Sequence, residues 1–378
     1  MKIDCISLRK IFNSRGEETA EAIIFSKDKV GIGSSPSGAS VSSKEAKLIN
    51  LDIGIKNFEK IKNQLIGEFT QESFDKILEE NLNLIGANIT TALSFAFFNL
   101  DKYNFVQSVN GEIPFPLGNV IGGGKHFGKI DIQEILILPI KATNIYDAIK
   151  INFEIWKEIK NNYINKYLGI NDEGALIMNF KNEEALDVVS EISRKYNIKI
   201  GIDLAASNLF KDNFYWYGDK KLDKGEQIEL ISSLIRDFNL YYIEDPFDEN
   251  DAESFKELTK KFRNRCLIVG DDIFATQADK LDSNIANATI IKPNQVGTVS
   301  GALACIKRAK ELNIIPILSH RSGETCDTTI AYLSLLTPIA KFGISQIRIA
   351  KLNELIRLWE LLQICNNFKD KKPKMAKL

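Results

Sequence analysis

LYYIEDPF, residues 240–247, is an apolar run that ends in a carboxylate, Glu244. Five other runs share this form: each is apolar, ends in one charged or catalysis-capable side chain, and precedes a stretch with helical spacing. They are IKIGIDLAA (198–206) with Asp203, CLIVGDDIF (266–274) with Asp271, ATIIKPNQ (288–295) with Lys292, IIPILSHRS (314–322) with His320, and ISQIRIAK (344–351) with Lys351. Successive ends lie roughly 30 residues apart, the length of one strand-plus-helix unit. The pattern predicts an α/β fold, a TIM-type βα barrel whose strand ends meet at one mouth.

The chain divides into two predicted domains and a tail. Residues 1–109 carry the β-like runs KIDCISLRKIF, ETAEAIIF and KVGIGSS, followed by helical stretches near residues 43–65, 71–82 and 87–100. Strands before helices are typical of a small α+β domain, which we expect to cap the barrel. NGEIPFPLGN, residues 110–119, marks the boundary with two prolines and two glycines. Residues 110–366 then form the barrel, and residues 367–378, NFKDKKPKMAKL, form a basic polar tail that we expect to be solvated.

The overall composition narrows the class of protein. Lys and Arg total 49 against 50 Asp and Glu, so no general electrostatic field favours nucleic acid or an anionic membrane. The five cysteines are odd in number and scattered, which argues against a disulfide framework and for a reducing cytosol. No apolar stretch approaches the roughly 18 residues of a membrane span, and the N-terminal residues lack a signal-like apolar core. The sequence predicts a cytoplasmic protein with a locally built ligand site.

Three of the strand-end residues are acids. Asp203, Glu244 and Asp271 offer hard oxygen ligands without a nearby sulfur or histidine in sequence, a set that suits Mg²⁺. Each acid alone could instead cap the helix that follows its strand. Three carboxylates crowded at one mouth would repel one another unless a cation offset their charge, so the set favours a metal site.

Basic and acidic groups that could do catalysis lie in the same predicted barrel. Lys292 and Lys351, near a divalent cation and each other, would have their neutral amines favoured, and either could act as a general base or pair with an acid. The chain's two histidines lie in Gly- or Ser-rich contexts, GGGKHFG and LSHRSGE. Arg321 with Ser322 could hold a phosphate or a carboxylate. Glu134 and Glu173 are candidate general acids. The stretch GNVIGGGKHFG is not a Walker loop, because Asn119 and His126 occupy the positions that require glycine and Ser or Thr.

Many segments, in order, make the sequence resemble the enolase family over nearly its whole length. They are NSRGEETAE (13–21), PSGAS (36–40), LIGANITTALSFA (84–96), NVIGGGKHFG (119–128), IQEILILP (132–139), NDEG (171–174), IGIDLAAS (200–207), YIEDPFD (242–248), VGDDIFAT (269–276), IKPNQVGT (291–298), SHRSGETCDTT (319–329) and RIAKLNELIR (348–357). The resemblance implies an N-terminal domain capping a βα barrel, homodimers or higher homo-oligomers, and a Mg²⁺-dependent hydratase that interconverts 2-phosphoglycerate and phosphoenolpyruvate in glycolysis or gluconeogenesis.

The resemblance also implies roles for individual residues. Asp203, Glu244 and Asp271 would hold the higher-affinity Mg²⁺, and Ser40 a second Mg²⁺. Lys292 would remove the C2 proton, and Glu173, assisted by Glu134, would help the C3 hydroxyl to leave. The substrate would contact Lys351 through its carboxylate and Arg321 and Ser322 through its phosphate, with Gln133, Ser319, His320 and the loop residue His126 also in the binding site.

The chain departs from the family pattern around this implied site. NDEGALIMN (171–179) stands where the family usually has GDEGGFAPN, Ser40-Val41-Ser42 replaces STG, and the segment between Lys341 and Lys351 is shorter than usual. None of these changes removes a charged residue of the implied site. Two alternatives stay open beside the hydratase: a related dehydratase acting on another phosphorylated hydroxy acid, and an enolase-like binding or scaffold protein without activity.

Overall fold

The computed structural model describes residues 1–38, 42–124, 129–367 and 373–378. The N-terminal domain is built on a three-stranded antiparallel sheet. The strands of the N-terminal domain are β1 (Lys2–Ile3), β2 (Cys5–Phe12), β3 (Glu18–Ser26), β4 (Lys29–Ser34) and β5 (Gly67–Glu68). β3 pairs with β2 and β4, and β5 pairs with β1. The alternating apolar residues of β3, among them Ala20, Ala22 and Ile24, are buried, because successive side chains of a strand point to opposite faces.

Helices cover the buried face of this sheet. They are α1 (Leu51–Ile61), α2 (Gln71–Glu80), α3 (Leu82–Ile85), α4 (Ala87–Asn99) and α5 (Lys102–Ser108). α4 packs directly on β4 at Gly33, where a Cβ atom would lie 2.2 Å from the backbone nitrogen of Ala96. Glycine is therefore required for this close approach. The predicted strands and two of the predicted helices are confirmed, whereas the helix expected from residue 43 begins only at Leu51, after the Asn50 side chain caps it.

The second domain is a closed barrel. Its strands and associated short strands are β6 (Glu112–Ile113), β7 (Phe115–Gly122), β8 (Glu134–Leu138), β9 (Tyr167–Ile170), β10 (Leu176–Met178), β11 (Lys199–Asp203), β12 (Phe210–Lys211), β13 (Phe214–Tyr217), β14 (Lys220–Leu222), β15 (Tyr242–Glu244), β16 (Leu267–Gly270), β17 (Ala288–Ile291), β18 (Ile315–Ser319), β19 (Ile339–Lys341) and β20 (Lys374–Met375). The barrel order is β7, β8, β11, β15, β16, β17, β18 and β19, closed by pairing of β19 with β7. β8 is antiparallel to both neighbours, so its first residue, not its last, lies at the mouth.

Helices surround the barrel. They are α6 (Ile145–Asn162), α7 (Asn182–Tyr196), α8 (Lys224–Asp237), α9 (Ala252–Phe262), α10 (Pro293–Val296), α11 (Val299–Glu311), α12 (Thr329–Leu333) and α13 (Ile349–Asn367). The buried face of these helices packs against the outward-facing residues of the strands, and together they form one apolar cluster, with Ile231 of α8 and Ile243 of β15 among its members. A second cluster fills the barrel interior. Within the described residues, none of the helices combines the length and the apolar character needed to cross a membrane.

One predicted strand is wrong. ISQIRIAK forms a 3₁₀ turn and the start of α13, and the last barrel strand is Ile339–Lys341 instead. Leu352, Leu355, Leu358 and Leu362 are buried at spacings of three and four residues, and burial of this helical stripe outweighs the short β-like pattern.

The tail also departs from the expectation of a fully solvated segment. β20 pairs in parallel with β6, and Ala376 is buried. These contacts tie residues 374–376 to the start of the barrel, so this part of the tail is a structural element.

Candidate active site

A cleft with a volume of about 50 Å³ opens at the barrel mouth, and Gly38 of the N-terminal domain forms part of its wall. It is lined by many of the residues that the sequence analysis selected: Gln133, Glu134, Glu173, Asp203, Asp271, Lys292, Ser319, His320, Arg321 and Ser322. Ser40 and His126 lie outside the described residues. Asp203, Asp271, Lys292 and His320 thus meet at one end of the barrel, as predicted, and Glu244 pairs with Asp203 at the same end. Lys351 does not line the cleft.

Strand register places three carboxylates side by side. Asp203, the last residue of β11, pairs with Glu134 of β8 on one side and with Glu244 of β15 on the other. All three side chains are buried. Neighbouring strands lie about 4.8 Å apart, so the acids are forced close together at the mouth.

Lys341 lies among these carboxylates. Its Nζ is 2.7 Å from Glu244 Oε2, 3.0 Å from Asp203 Oδ2 and 3.2 Å from Glu134 Oε2. Tyr242 also donates a short hydrogen bond to Glu244. One ammonium thus faces three acids, which leaves an excess of negative charge in a buried place.

The excess of negative charge shifts carboxyl pKa values upward. Burial and the charge of Asp203 raise the pKa of Glu244 to about 8, although Lys341 opposes the shift. Burial, together with Glu173 and Asp203, raises the pKa of Glu134 well above its ordinary value, although Lys341 opposes this shift as well. Burial and the neighbouring Asp271 raise the pKa of Asp272 to about 7. A cation bound nearby would favour the ionised forms of these acids.

Lys292 and Asp271 form a second buried pair. Lys292 follows β17 directly, and its Nζ makes a short ion pair with Asp271 Oδ2. Burial alone would lower the pKa of Lys292, but the negative charges of Asp271, Glu244 and Asp272 together outweigh it, and the pKa is raised. Gln295 donates a hydrogen bond of 3.2 Å to the other oxygen of Asp271. In this arrangement Lys292 carries a proton, so it can serve as a base only when Asp271 is engaged by another cation.

The oxygens that could share a metal ion differ in part from the predicted trio. Among the described residues, the acids that bring ligand atoms within 4.8 Å of one another are Asp245, Asp271 and Asp272. Asp203 and Glu244 instead direct oxygens at Lys341. Asp245 accepts hydrogen bonds of 2.9 Å from the backbone nitrogens of Asp271 and Asp272, and so fixes the turn that carries both acids. An acidic group able to bind a metal is present, and Asp271 is common to both sets.

Arg321 is held by a residue of the N-terminal domain. Its NH1 lies 2.8 Å from Glu45 Oε2 and its NH2 lies 3.2 Å from Glu45 Oε1. Asn294 accepts a further bond from NH1 at 3.3 Å. The paired bonds fix the plane of the guanidinium group at the cleft wall.

Glu173 lies in a turn that an asparagine organises. The side-chain oxygen of Asn171 accepts hydrogen bonds from the backbone nitrogens of Glu173 at 3.0 Å and Ala175 at 2.9 Å. Asn171 stands where the family usually has glycine, and this side chain holds the altered loop in place. The carboxyl group of Glu173 accepts a long bond of 3.5 Å from Asn119, and it lies close enough to Glu134 to raise the pKa of that acid. The two predicted acids are therefore neighbours.

Lys351 has a different position from the predicted one. It lies on α13, buried, with its Nζ 2.6 Å from Glu324 Oε2 and 2.9 Å from the Thr325 carbonyl oxygen. Glu324 in turn accepts a hydrogen bond of 2.9 Å from the backbone nitrogen of Arg321. Lys351 therefore stabilises the loop that carries Arg321 and does not line the cleft. The lysine that ends the last barrel strand and lines the cleft is Lys341.

Several residues of the site, Asp245 among them, were missed by the sequence analysis. Lys341 ends the short apolar run PIAK and is followed by Phe342; it is a charged strand end like the others, but this run is too short to stand out. Asp272 adjoins a selected acid and could have been included on that ground. Glu45 and Arg348 lie far along the chain from their partners Arg321 and His320, and no local pattern identifies them.

Comparisons with known proteins agree with this geometry. Residues 110–376 match the family described as Enolase, C-terminal TIM barrel domain. A protein from Archaeoglobus fulgidus named Enolase is 38% identical over 96% of this chain and 98% of its own length. Proteins with the same name from Methanosphaera stadtmanae and Picrophilus torridus are 39% and 36% identical, over 95% and 94% of this chain and 97% and 98% of their own lengths.

Proposed function

The chain belongs to the enolase family and is an enolase-type hydratase, and from this premise we propose that it interconverts 2-phosphoglycerate with phosphoenolpyruvate and water, using Mg²⁺. The observation that carries the proposal is the cleft itself. Two lysines, Lys292 and Lys341, share it with the acids Glu134 and Glu173 and with the guanidinium group of Arg321. These are a base, an acid and cationic groups in one place, as removal of a proton beside a carboxylate and loss of a hydroxyl group require.

The residues present fit a divalent cation. Burial and mutual repulsion raise several carboxyl pKa values here, and the donors are hard oxygens, which Mg²⁺ prefers. The proposed ligands are Asp203, Glu244 and Asp271, with Asp272 beside them, and with a second ion assigned to Ser40 by resemblance alone. When bound, Mg²⁺ would stabilise the negative charge that develops on the substrate carboxylate.

Lys292 is the proposed base for the C2 proton. It lies at the mouth, nearly buried, and its Nζ contacts Asp271. An amine can take a proton only in its neutral form, so Asp271 must be neutralised by another partner before the step. Transfer of the proton to Nζ leaves an electron pair at C2, which becomes the new double bond to C3 as the hydroxyl group departs.

Glu173 and Glu134 are the proposed acid pair. Their proximity and their burial favour sharing of a proton between the two carboxyl groups, since the pKa of Glu134 is raised. Glu173 would deliver that proton to the C3 hydroxyl, which leaves as water. The proton taken by Lys292 and the proton given by Glu173 balance the dehydration.

The remaining groups would orient the substrate. Arg321 with Ser322 would hold the phosphate, as proposed from the sequence. Lys341 would take the role that the sequence analysis gave to Lys351 and pair with the substrate carboxylate, because it is the lysine that lines the cleft. Gln133, Ser319 and His320 also line it and would complete the binding site together with His126.

A cytoplasmic location and a homo-oligomeric state complete the proposal. Cys266 and Cys305 are unpaired and buried, and Cys5 and Cys326 are unpaired and exposed, which fits a reducing compartment. On the N-terminal sheet Phe12 is 70% exposed and Val30 is 51% exposed, and a homo-oligomer would cover apolar surface of this kind.

The direct test is turnover. The purified protein is mixed with Mg²⁺ and 2-phosphoglycerate, and phosphoenolpyruvate is followed by its ultraviolet absorbance, with a chelator and Lys292→Ala as controls. Product that is lost in both controls supports the proposal. Folded protein whose melting temperature rises with Mg²⁺ but which forms no product points to another phosphorylated hydroxy acid, to be tested with a substrate panel. Absence of any shift with Mg²⁺ and substrate favours the scaffold alternative.

A further inference from the structure

Arg348 is a wholly buried cation with unusual partners. It is 0% exposed, and its donors go to neutral acceptors: His320 Nδ1 at 2.9 Å, the Asp172 carbonyl at 2.8 Å, and the Arg321 and Ser322 carbonyls at 3.0 and 2.9 Å. Across the described ranges, no carboxylate forms an ion pair with Arg348. Burial of a charge without a counter-charge is costly, so the hydrogen bonds to these four acceptors are what offset the desolvation of Arg348.

The contact with His320 decides where the imidazole carries its proton. The guanidinium group is always protonated and has no acceptor, so the ring nitrogen that it faces must be unprotonated. Nδ1 is then an acceptor, and the neutral ring has its proton on Nε2. Gly343 keeps this geometry tight: at φ +69°, a Cβ on it would meet Arg348 Cδ at 3.0 Å and His320 Cε1 at 3.3 Å.

The environment of His320 also favours the neutral form of its imidazole ring. Burial and Arg348 lower the pKa of His320 well below its ordinary value, with Lys341 and Lys292 adding to the effect and Glu173 opposing it. His320 lines the cleft, and among the described residues the structure records no protein partner for Nε2. The Nε2–H group is thus available to a ligand.

We propose that Arg348 is a positioning residue that fixes His320 as the neutral Nε2–H tautomer, so that His320 gives the cleft a permanent hydrogen-bond donor to an oxygen of the bound substrate and does not act as a base. The identity of that oxygen rests on the proposed function. The tautomer does not, because it follows from contacts within the protein.

Nuclear magnetic resonance of protein labelled with ¹⁵N-histidine tests the tautomer directly. The chain has two histidines, and a His126→Gln variant leaves His320 as the only imidazole. With Mg²⁺ present and no substrate, we expect an unprotonated Nδ1 and a protonated Nε2 that do not change between about pH 5 and pH 8. A protonated Nδ1, or titration of the ring in this range, overturns the proposal. The measurement gives an answer even if 2-phosphoglycerate is not the substrate.

Substitution of Arg348 tests its positioning role. We expect Arg348→Gln to let the ring titrate or populate the Nδ1–H form, with kcat/KM lower by about 10²-fold, the effect of losing one preorganised donor. Arg348→Lys, which keeps one charged donor, should restore part of the tautomer signal. The control is Arg357→Gln, an exposed position on α13, the helix that directly follows Arg348; its side chain is 64% exposed, and the variant should behave as wild type. A folded Arg348→Gln variant with the wild-type tautomer would show that the guanidinium group does not set it.

Discussion

Glu45 and Arg321 form a buried two-point ion pair that joins the N-terminal domain to the barrel mouth. The two oxygens of Glu45 lie 2.8 and 3.2 Å from NH1 and NH2 of Arg321, and their side chains are 5% and 3% exposed. Because Arg321 is the proposed phosphate ligand, the N-terminal domain contributes to the site by orienting a barrel residue.

Removing the charge of Glu45 should weaken the contact between the domains. We expect Glu45→Gln to lower the free energy of unfolding by about 2 kcal/mol or more, because a buried guanidinium group loses its counter-charge. Thermal denaturation measures the change. The control is Glu18→Gln, whose side chain is 53% exposed and pairs with Lys10 on the surface, where an ion pair contributes little. Equal melting temperatures for both variants would contradict the role given to the buried pair.

Lys341 and Lys351 should have separable roles. Lys341→Met removes the ammonium group from the cleft. We expect kcat/KM to fall by about 10²-fold or more, because the substrate carboxylate loses the positive charge that the protein holds in place for it. Lys351→Met leaves Glu324 buried without its cation, so we expect a lower melting temperature and a smaller loss of activity. Steady-state kinetics and thermal denaturation of both variants decide. A larger kinetic loss from Lys351→Met would restore the original assignment.

The proposed base and acid should act at different steps. Lys292→Ala should abolish exchange of the C2 hydrogen of 2-phosphoglycerate with deuterated solvent, because no group remains to take the proton. Glu173→Gln should retain more exchange than dehydration, since the proton can still be removed while the hydroxyl group cannot leave. ¹H nuclear magnetic resonance spectra of the substrate measure both the exchange of the C2 hydrogen and the dehydration. Full exchange in the Lys292→Ala variant would remove that lysine as the base.

Metal-free protein should lose stability as the pH rises. The folded-state pKa values of Glu244 and Asp272 are about 8 and about 7, above the value of about 4 for such groups in an unfolded chain. The folded state therefore binds extra protons, and this contribution to stability is complete below about pH 4 and is lost as the pH rises through about 7 to 8. We expect the melting temperature in chelator to fall from about pH 5 to pH 8, and Mg²⁺ to raise it more at pH 8 than at pH 6.

A variant isolates the source of this pH dependence. Asp272→Asn removes one of the acids whose raised pKa produces this dependence, so the fall in melting temperature with pH should be shallower in chelator. If the wild type and the variant both show flat profiles over this range, the mutual repulsion of the acids is not what Mg²⁺ relieves.

Much of the fold could be predicted because its signals are local. The runs that end at Asp203, Glu244, Asp271, Lys292 and His320 each form a barrel strand, since a short apolar run followed by a helical stretch is itself the strand-plus-helix unit. The wrong strand at residues 344–351 also came from a local signal. Its short β-like pattern overlaps the start of a longer helical stripe, and the stripe decides the structure. Lys341 was overlooked because its strand has only three residues.

The sequence by itself determined the barrel, the N-terminal α+β domain and the chemical types present at the mouth, because strand direction and period are encoded by neighbouring residues. Only the tertiary structure decided which lysine enters the cleft, that Glu45 holds Arg321, and that Arg348 faces Nδ1 of His320. These relationships join residues that lie between 28 and 276 positions apart. Their geometry depends on strand register and domain packing, which no local pattern specifies.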